Sequence, residues 1–281
     1  MSMTDFMDAL VANKYLDYRY SIPEKIFKKE NFPLPDEAFT SKWIAWLENR
    51  DSDFPDDVCA LLSGPGVRVW LEATPAGGIP VVYAEDRRLF ERLTAILSME
   101  DEERTLPASV NAFTLPAKHP GFTGHRVICL AKAGYSALSG EDVGIENGEW
   151  LEKSATIRLR HECCHYFTLR VLGGMKNHAL DEVVADCVGQ LSAFGRYDAS
   201  LQRKFFGLKD DGIVQGGRLE FYVKKLSKGA VALVCQRVEE ALDGLEKYLE
   251  KNDEMAFKDR GPELIVKLAT LGLSGIAELG R

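Results

Sequence analysis

Hydrophobic residues recur every three or four positions over most of the chain, which is the period of an amphipathic helix. The pattern predicts helices at 4–18, 36–49, 86–99, 154–172, 180–188 with a continuation to about 194, 219–226, 230–249 and 263–279. Thr4 and Ser154 are suited to cap the first and fourth of these helices, because a hydroxyl oxygen can accept a hydrogen bond from the first turn. Beyond Gly189 the chain is therefore predicted to be mostly helical.

The central part of the chain has shorter apolar or alternating runs that favour strands. Runs at 67–73 and 79–84 are separated by Thr74-Pro75-Ala76-Gly77-Gly78, and this arrangement predicts a β-hairpin. Two further extended pieces are predicted at 110–115 and 126–130. The pattern indicates a mostly helical α+β protein, with a helical region at 1–65, a mixed central region at 66–200 and a helical region at 201–281, packed as one compact unit.

Composition and charge narrow the possible functions. The net charge of −8 argues against a nucleic-acid-binding surface, which needs an excess of clustered Lys and Arg. The first twenty residues carry charges within their apolar pattern, unlike a signal peptide, and no segment has the ~18 consecutive apolar residues of a membrane span. We therefore expect a cytoplasmic protein whose six cysteines are reduced packing residues. The oligomeric state is not indicated by the sequence.

The segment His161-Glu162-Cys163-Cys164-His165 is an H-E-x-x-H motif within the predicted helix 154–172, which Gly173-Gly174 would end. His161 and His165 lie about 40° apart on the helical wheel, and Glu162 lies about 60° beyond His165. Two imidazoles can bind Zn²⁺, which lowers the pKa of a bound water towards ~7, and Glu162 would then act as the general base. Both cysteines of the motif are predicted to pack, although Cys164 could also be a thiolate ligand or nucleophile.

A third ligand is expected from the next apolar helix, which follows a Gly-Gly turn. Glu182 is the main candidate, and Asp181 is close enough in the sequence to compete with it. Asp186 lies one turn after Glu182 on the same helix face, where it could accept the outer N–H of a ligand histidine. The sequence therefore predicts a metal site formed by two helices.

These residues resemble the H-E-x-x-H…E-x-x-A-D arrangement of gluzincin metallopeptidases, including the CAAX-prenyl endopeptidase-like group and the minimal gluzincins. The segment Asn111-Ala112-Phe113-Thr114-Leu115-Pro116 is similar to the N-A-F-x-x-P segment that opens the edge strand of their cleft. The resemblance implies a zincin-like core with a small sheet packed on the H-E-x-x-H helix, and zinc-dependent hydrolysis of a peptide or protein substrate. The resemblance implies that the zinc ligands are His161, His165 and Glu182. It also implies that Glu162 is the general base and that Asp186 orients a ligand.

The group that would stabilise the oxyanion is not evident from the pattern. Candidates are His178, Tyr222 and Arg218, each with a simpler interpretation: a solvated loop histidine, a packing tyrosine and a surface charge. Two other functions stay open, namely hydrolysis of a different amide and a metal-binding interaction protein whose site is structural or vestigial. A structural zinc would have four protein ligands, whereas a catalytic zinc keeps one position open.

Overall fold

The computed structural model describes residues 37–49, 54–119, 125–175, 177–209, 217–224, 226–252 and 257–281. These residues form a mostly helical α+β protein with a four-stranded sheet, which confirms the predicted fold class. The predicted helix at 4–18 lies outside the described residues. Within the described ranges, no helix is long and apolar enough to cross a membrane.

The chain divides into two compact units. The described residues of the first unit lie between 37 and 171, and those of the second unit lie between 172 and 281. The predicted boundaries near 65 and 200 stay a prediction. The first unit contains α1 (Glu37–Asn49), α2 (Asp56–Leu62), β1 (Val67–Thr74), β2 (Gly77–Ala84), α3 (Arg87–Ser98), β3 (Ala112–Pro116), β4 (Arg126–Ala131), a 3-10 turn (Tyr135–Ala137), α4 (Gly140–Val143) and nearly all of α5 (Asn147–Leu172).

The sheet has the strand order β1-β2-β4-β3, so that β1 and β3 are its two edges. Strands β1 and β2 form the predicted antiparallel hairpin, in which Val67 lies opposite Ala84. Strand β2 pairs with β4 in parallel, and β3 pairs with β4 in the antiparallel sense. The segment that resembles N-A-F-x-x-P therefore forms an edge strand, as expected.

Helix α5 packs on this sheet, as predicted, through contacts to different strands. Arg160 on α5 forms an ion pair with Glu72 on β1 at 2.9 Å. Thr114 on β3 donates a hydrogen bond to Glu162 on the same helix. The H-E-x-x-H segment is therefore anchored directly to an edge of the sheet.

The core of the first unit is built around the aromatic residues of α1. Trp43 and Trp46 are fully buried, with ring centroids 5.6 Å apart, and the Trp43 indole N–H donates to the Trp70 carbonyl at 3.1 Å. These two tryptophans therefore belong to the core of the first unit. Helix α3 begins where Asp86 caps it through the Leu89 N–H, close to the predicted boundary.

The predicted start of α5 is wrong. The helix begins at Asn147, and Ser154 is a fully buried residue in its interior rather than its N-cap. Its hydroxyl accepts a hydrogen bond from the Tyr135 N–H at 3.0 Å. The end of the helix is as predicted, because Gly173 and Gly174 both adopt positive φ angles.

The second unit is helical in its described residues. It contains α6 (His178–Phe194), α7 (Ala199–Phe206), α8 (Arg218–Val223), α9 (Lys228–Lys251) and α10 (Phe257–Glu278). Helices α9 and α10 approach closely at Gly244, where an added Cβ would lie 2.4 Å from the Ile276 carbonyl oxygen. His178 was predicted to lie in a loop, but it is the first residue of α6, which Asn177 caps.

Candidate metal centre

The two histidines of the H-E-x-x-H segment meet on one face of α5. Their Nε2 atoms lie 2.8 Å apart, and the rings are nearly perpendicular. His161 is 4% exposed, and His165 is partly buried. Neutral imidazole is the usual protein ligand of a transition metal, and both lone pairs that could bind one converge on the same region.

Glu162 lies beside the edge strand, in contact with Thr114. The Thr114 hydroxyl lies 2.7 Å from Glu162 Oε2 and 3.1 Å from the Glu162 carbonyl oxygen. The carbonyl of Thr114 itself accepts a hydrogen bond from Arg126 at 3.0 Å. A buried carboxylate is thereby restricted to one orientation on the helix face that presents the two histidines.

His161 has a further polar neighbour, the hydroxyl of Tyr135. The Tyr135 oxygen lies 2.9 Å from His161 Nδ1, on the side of the ring away from His165. Both residues are 4% exposed. Tyr135 was not among the residues predicted from the sequence.

Helix α6 carries Glu182 and Asp186 one turn apart, and Arg218 lies beside both. The Arg218 guanidinium lies 3.2 Å from Glu182 Oε2 and 2.5 Å from Asp186 Oδ2. Asp186 is fully buried, and Glu182 is 5% exposed. Arg218 is therefore a cation held between two carboxylates, and its interpretation as a surface charge is wrong.

Tyr222 contacts the same carboxylate from one turn along α8. Its hydroxyl donates to Glu182 Oε1 at 2.7 Å, and its ring stacks on His178 with centroids 5.5 Å apart. Burial raises the pKa of Tyr222 well above its usual range, and the charge of Glu182 raises it further, so the hydroxyl stays a donor. The three oxyanion candidates therefore lie near Glu182, and their role towards a substrate stays a prediction.

Among the described residues, His161, His165 and Glu182 form a group that could hold a metal ion, with one ligand atom from each lying within 4.8 Å of the others. The group contains Glu182 and not its competitor Asp181. Two imidazole nitrogens and one carboxylate oxygen match the donor set of a catalytic zinc. The proposed roles of Asp186 towards a ligand histidine and of Glu162 as a base stay predictions.

The cysteines of the motif are packing residues, as predicted. Cys163 is 8% exposed and Cys164 is 2% exposed. Burial raises the pKa of the Cys163 thiol to about 12. A neutral buried thiol is a poor nucleophile, which argues against such a role for Cys163.

Two comparisons with known proteins gave no match, either among curated proteins or among solved structures. A third comparison matched residues 118–279 to a family of unknown function, DUF7005. This range covers more than half of the chain and includes His161, His165 and Glu182, whereas Thr114 lies just before it.

Proposed function

The chain belongs to the DUF7005 family, and we propose from the chemistry of its residues that it is a gluzincin-type zinc metallopeptidase. The observation that carries this proposal is the group of His161, His165 and Glu182, with Glu162 on the same helix face as the histidines. When bound, a zinc ion would supply Lewis-acid activation of water for hydrolysis. The three-residue group in the described part of the chain favours an open catalytic site over a structural zinc, which takes four protein ligands.

In this proposal Glu162 is the general base. It takes a proton from the attacking water and passes it to the leaving amine, which completes hydrolysis without a covalent intermediate on the protein. The hydrogen bond from Thr114 to Oε2 supports this role, because it fixes the orientation of the carboxylate without neutralising its charge.

A peptide substrate is supported by the position of β3 at the edge of the sheet. An extended peptide can bind as an additional strand along such an edge through main-chain hydrogen bonds. Because Thr114 belongs to β3 and contacts Glu162, a peptide on this edge would lie beside the proposed base. This favours a peptide over a small amide as the substrate.

The compartment is a further part of the proposal. Five of the six cysteines are buried among the described residues, which agrees with reduced packing thiols. Reduced thiols are typical of the cytoplasm. We therefore propose a cytoplasmic enzyme acting on a peptide or protein.

The test compares Glu162→Gln with the unchanged chain, using metal analysis and turnover of a quenched-fluorescent peptide library. The variant should bind zinc in the same stoichiometry and lose about 100- to 10,000-fold in turnover, as expected for removal of a general base. Glu152→Gln, an exposed position on the same helix, is the matched control and should keep full turnover. Turnover by Glu162→Gln equal to that of the control, or a chain that binds no zinc, would falsify the proposal.

A further inference from the structure

Residues 131–138, which we call the Tyr135 segment, connect β4 to α4 and follow an unusual path. Ser136 and Ala137 have φ angles of 52° and 61°, a left-handed conformation that is unfavourable for residues with a Cβ. Two such residues in succession persist only where the surrounding structure holds them. The Tyr135 segment is therefore held in place by contacts outside itself.

From Ala133 onwards, the side chains that hold the segment come from one face of α5. Trp150 donates from its indole N–H to the Leu138 carbonyl at 2.8 Å, and Ser154, four residues later, accepts from the Tyr135 N–H at 3.0 Å. Arg158, a further four residues along, donates to the carbonyls of three residues at 2.9–3.2 Å: Ala131, Ala133 and Gly134. Residues four apart lie on the same face of a helix, so α5 binds the segment along a little over two turns.

The next position on this face is His161, three residues after Arg158. The segment places the Tyr135 hydroxyl 2.9 Å from His161 Nδ1 while His161 Nε2 faces His165. The Arg158 guanidinium carbon lies 5.8 Å from the centre of the Tyr135 ring, so the same arginine contacts both the backbone and the ring. The left-handed turn thus places the buried hydroxyl of Tyr135 beside Nδ1 of His161, the ring nitrogen on the side away from His165.

We propose that Tyr135 is a positioning residue that fixes the His161 ring so that Nε2 is directed into the metal site. This inference rests on the proposed function, because it takes His161 to be a metal ligand. A neutral histidine that binds a metal through Nε2 carries its proton on Nδ1, and the Tyr135 oxygen is placed to accept it. A hydroxyl can also donate, so the same contact would suit the other tautomer of His161.

The test measures zinc affinity by chelator competition in the full chain with Tyr135→Phe. The ring and its contact with Arg158 are kept, so the variant should fold, and its affinity should fall about 10- to 100-fold, as is usual when the outer partner of a ligand is lost. Tyr83→Phe is the matched control, because Tyr83 is 6% exposed on β2 in the same unit, and its affinity should be unchanged. Ser154→Ala, which keeps the hydroxyl of Tyr135 but releases its backbone, should give a smaller loss.

A second measurement separates positioning from a general effect on packing. In zinc-bound protein the His161 Nδ1 proton should give a downfield, slowly exchanging NMR signal, and this signal should move upfield in Tyr135→Phe. Equal zinc affinities of Tyr135→Phe and Tyr83→Phe, with an unmoved signal, would overturn the inference and leave the proposed function standing. An unchanged chain that binds no zinc would overturn both.

Discussion

Arg218 lies between two buried carboxylates, and replacing it with methionine is the most direct test of how α6 is held. The substitution keeps an unbranched apolar side chain, as long as the aliphatic part of arginine, and removes the charged guanidinium. Asp186 loses a guanidinium at 2.5 Å, and Glu182 loses the same group at 3.2 Å.

The expected loss in the free energy of unfolding depends on how deeply the ion pairs of Arg218 are buried. Removing one partner of a buried ion pair typically costs about 3–5 kcal/mol, whereas an exposed pair contributes about 0–1 kcal/mol. Asp186 is fully buried, but the Arg218 side chain is 17% exposed, so we expect the lower end, about 3 kcal/mol. For 281 residues that unfold together, with an unfolding entropy of about 2.1 cal/mol/K per residue, this corresponds to a fall of about 5 °C in Tm.

The measurement is urea and thermal unfolding followed by far-UV circular dichroism, with a chelator present so that metal binding does not contribute. Arg237→Met is the control, because Arg237 pairs with Glu240 at 3.1 Å with side chains 35% and 40% exposed. The control should lose less than about 1 kcal/mol. If Arg218→Met is no less stable than Arg237→Met, the inference that this ion pair network holds Glu182 and Asp186 is incorrect.

Two further predictions concern Thr114 and the buried thiols. Thr114→Val removes the hydrogen bond to Glu162 Oε2 at constant shape, and because such a bond to a charged group contributes about 1.5–3 kcal/mol, peptide turnover should fall about 10- to 100-fold. An unchanged kcat would contradict the assigned contact. Burial raises the pKa of the Cys129 thiol to about 12 and that of Cys235 to about 11, so both stay protonated at mildly alkaline pH. Iodoacetamide mapping by mass spectrometry should find the partly exposed Cys59 modified first, and rapid modification of native Cys129 would refute this.

The regular elements were largely predictable because their signals are local. The hairpin, the helix after Asp86 and the long helix α9 each have a hydrophobic period and a turn or cap within a few residues. The short helices α2 and α7 were missed, since seven or eight residues give too few turns for a period to show. Ser154 was mistaken for a cap because its real partner, the Tyr135 N–H, lies 19 residues away.

The residues of the candidate site were also predictable only where their spacing along the chain is local. His161, Glu162 and His165 were found because a single helix fixes their spacing. The contacts of Thr114 with Glu162, of Tyr135 with His161 and of Arg218 with Asp186 join residues that are 48, 26 and 32 positions apart. Only the folded chain determines such contacts. The spacing of Trp150, Ser154 and Arg158 ahead of His161 indicates that they share one face of the helix. The spacing alone does not identify the segment that these residues bind.

The location of the tryptophans in the first unit has a practical consequence for studying the chain. All four tryptophans, Trp43, Trp46, Trp70 and Trp150, belong to the unit that contains the sheet. Indole fluorescence therefore reports on that unit alone, whereas helical dichroism receives signal from both. Recording the two signals on one sample, without adding a label, shows whether the units lose their structure in one cooperative step or in succession.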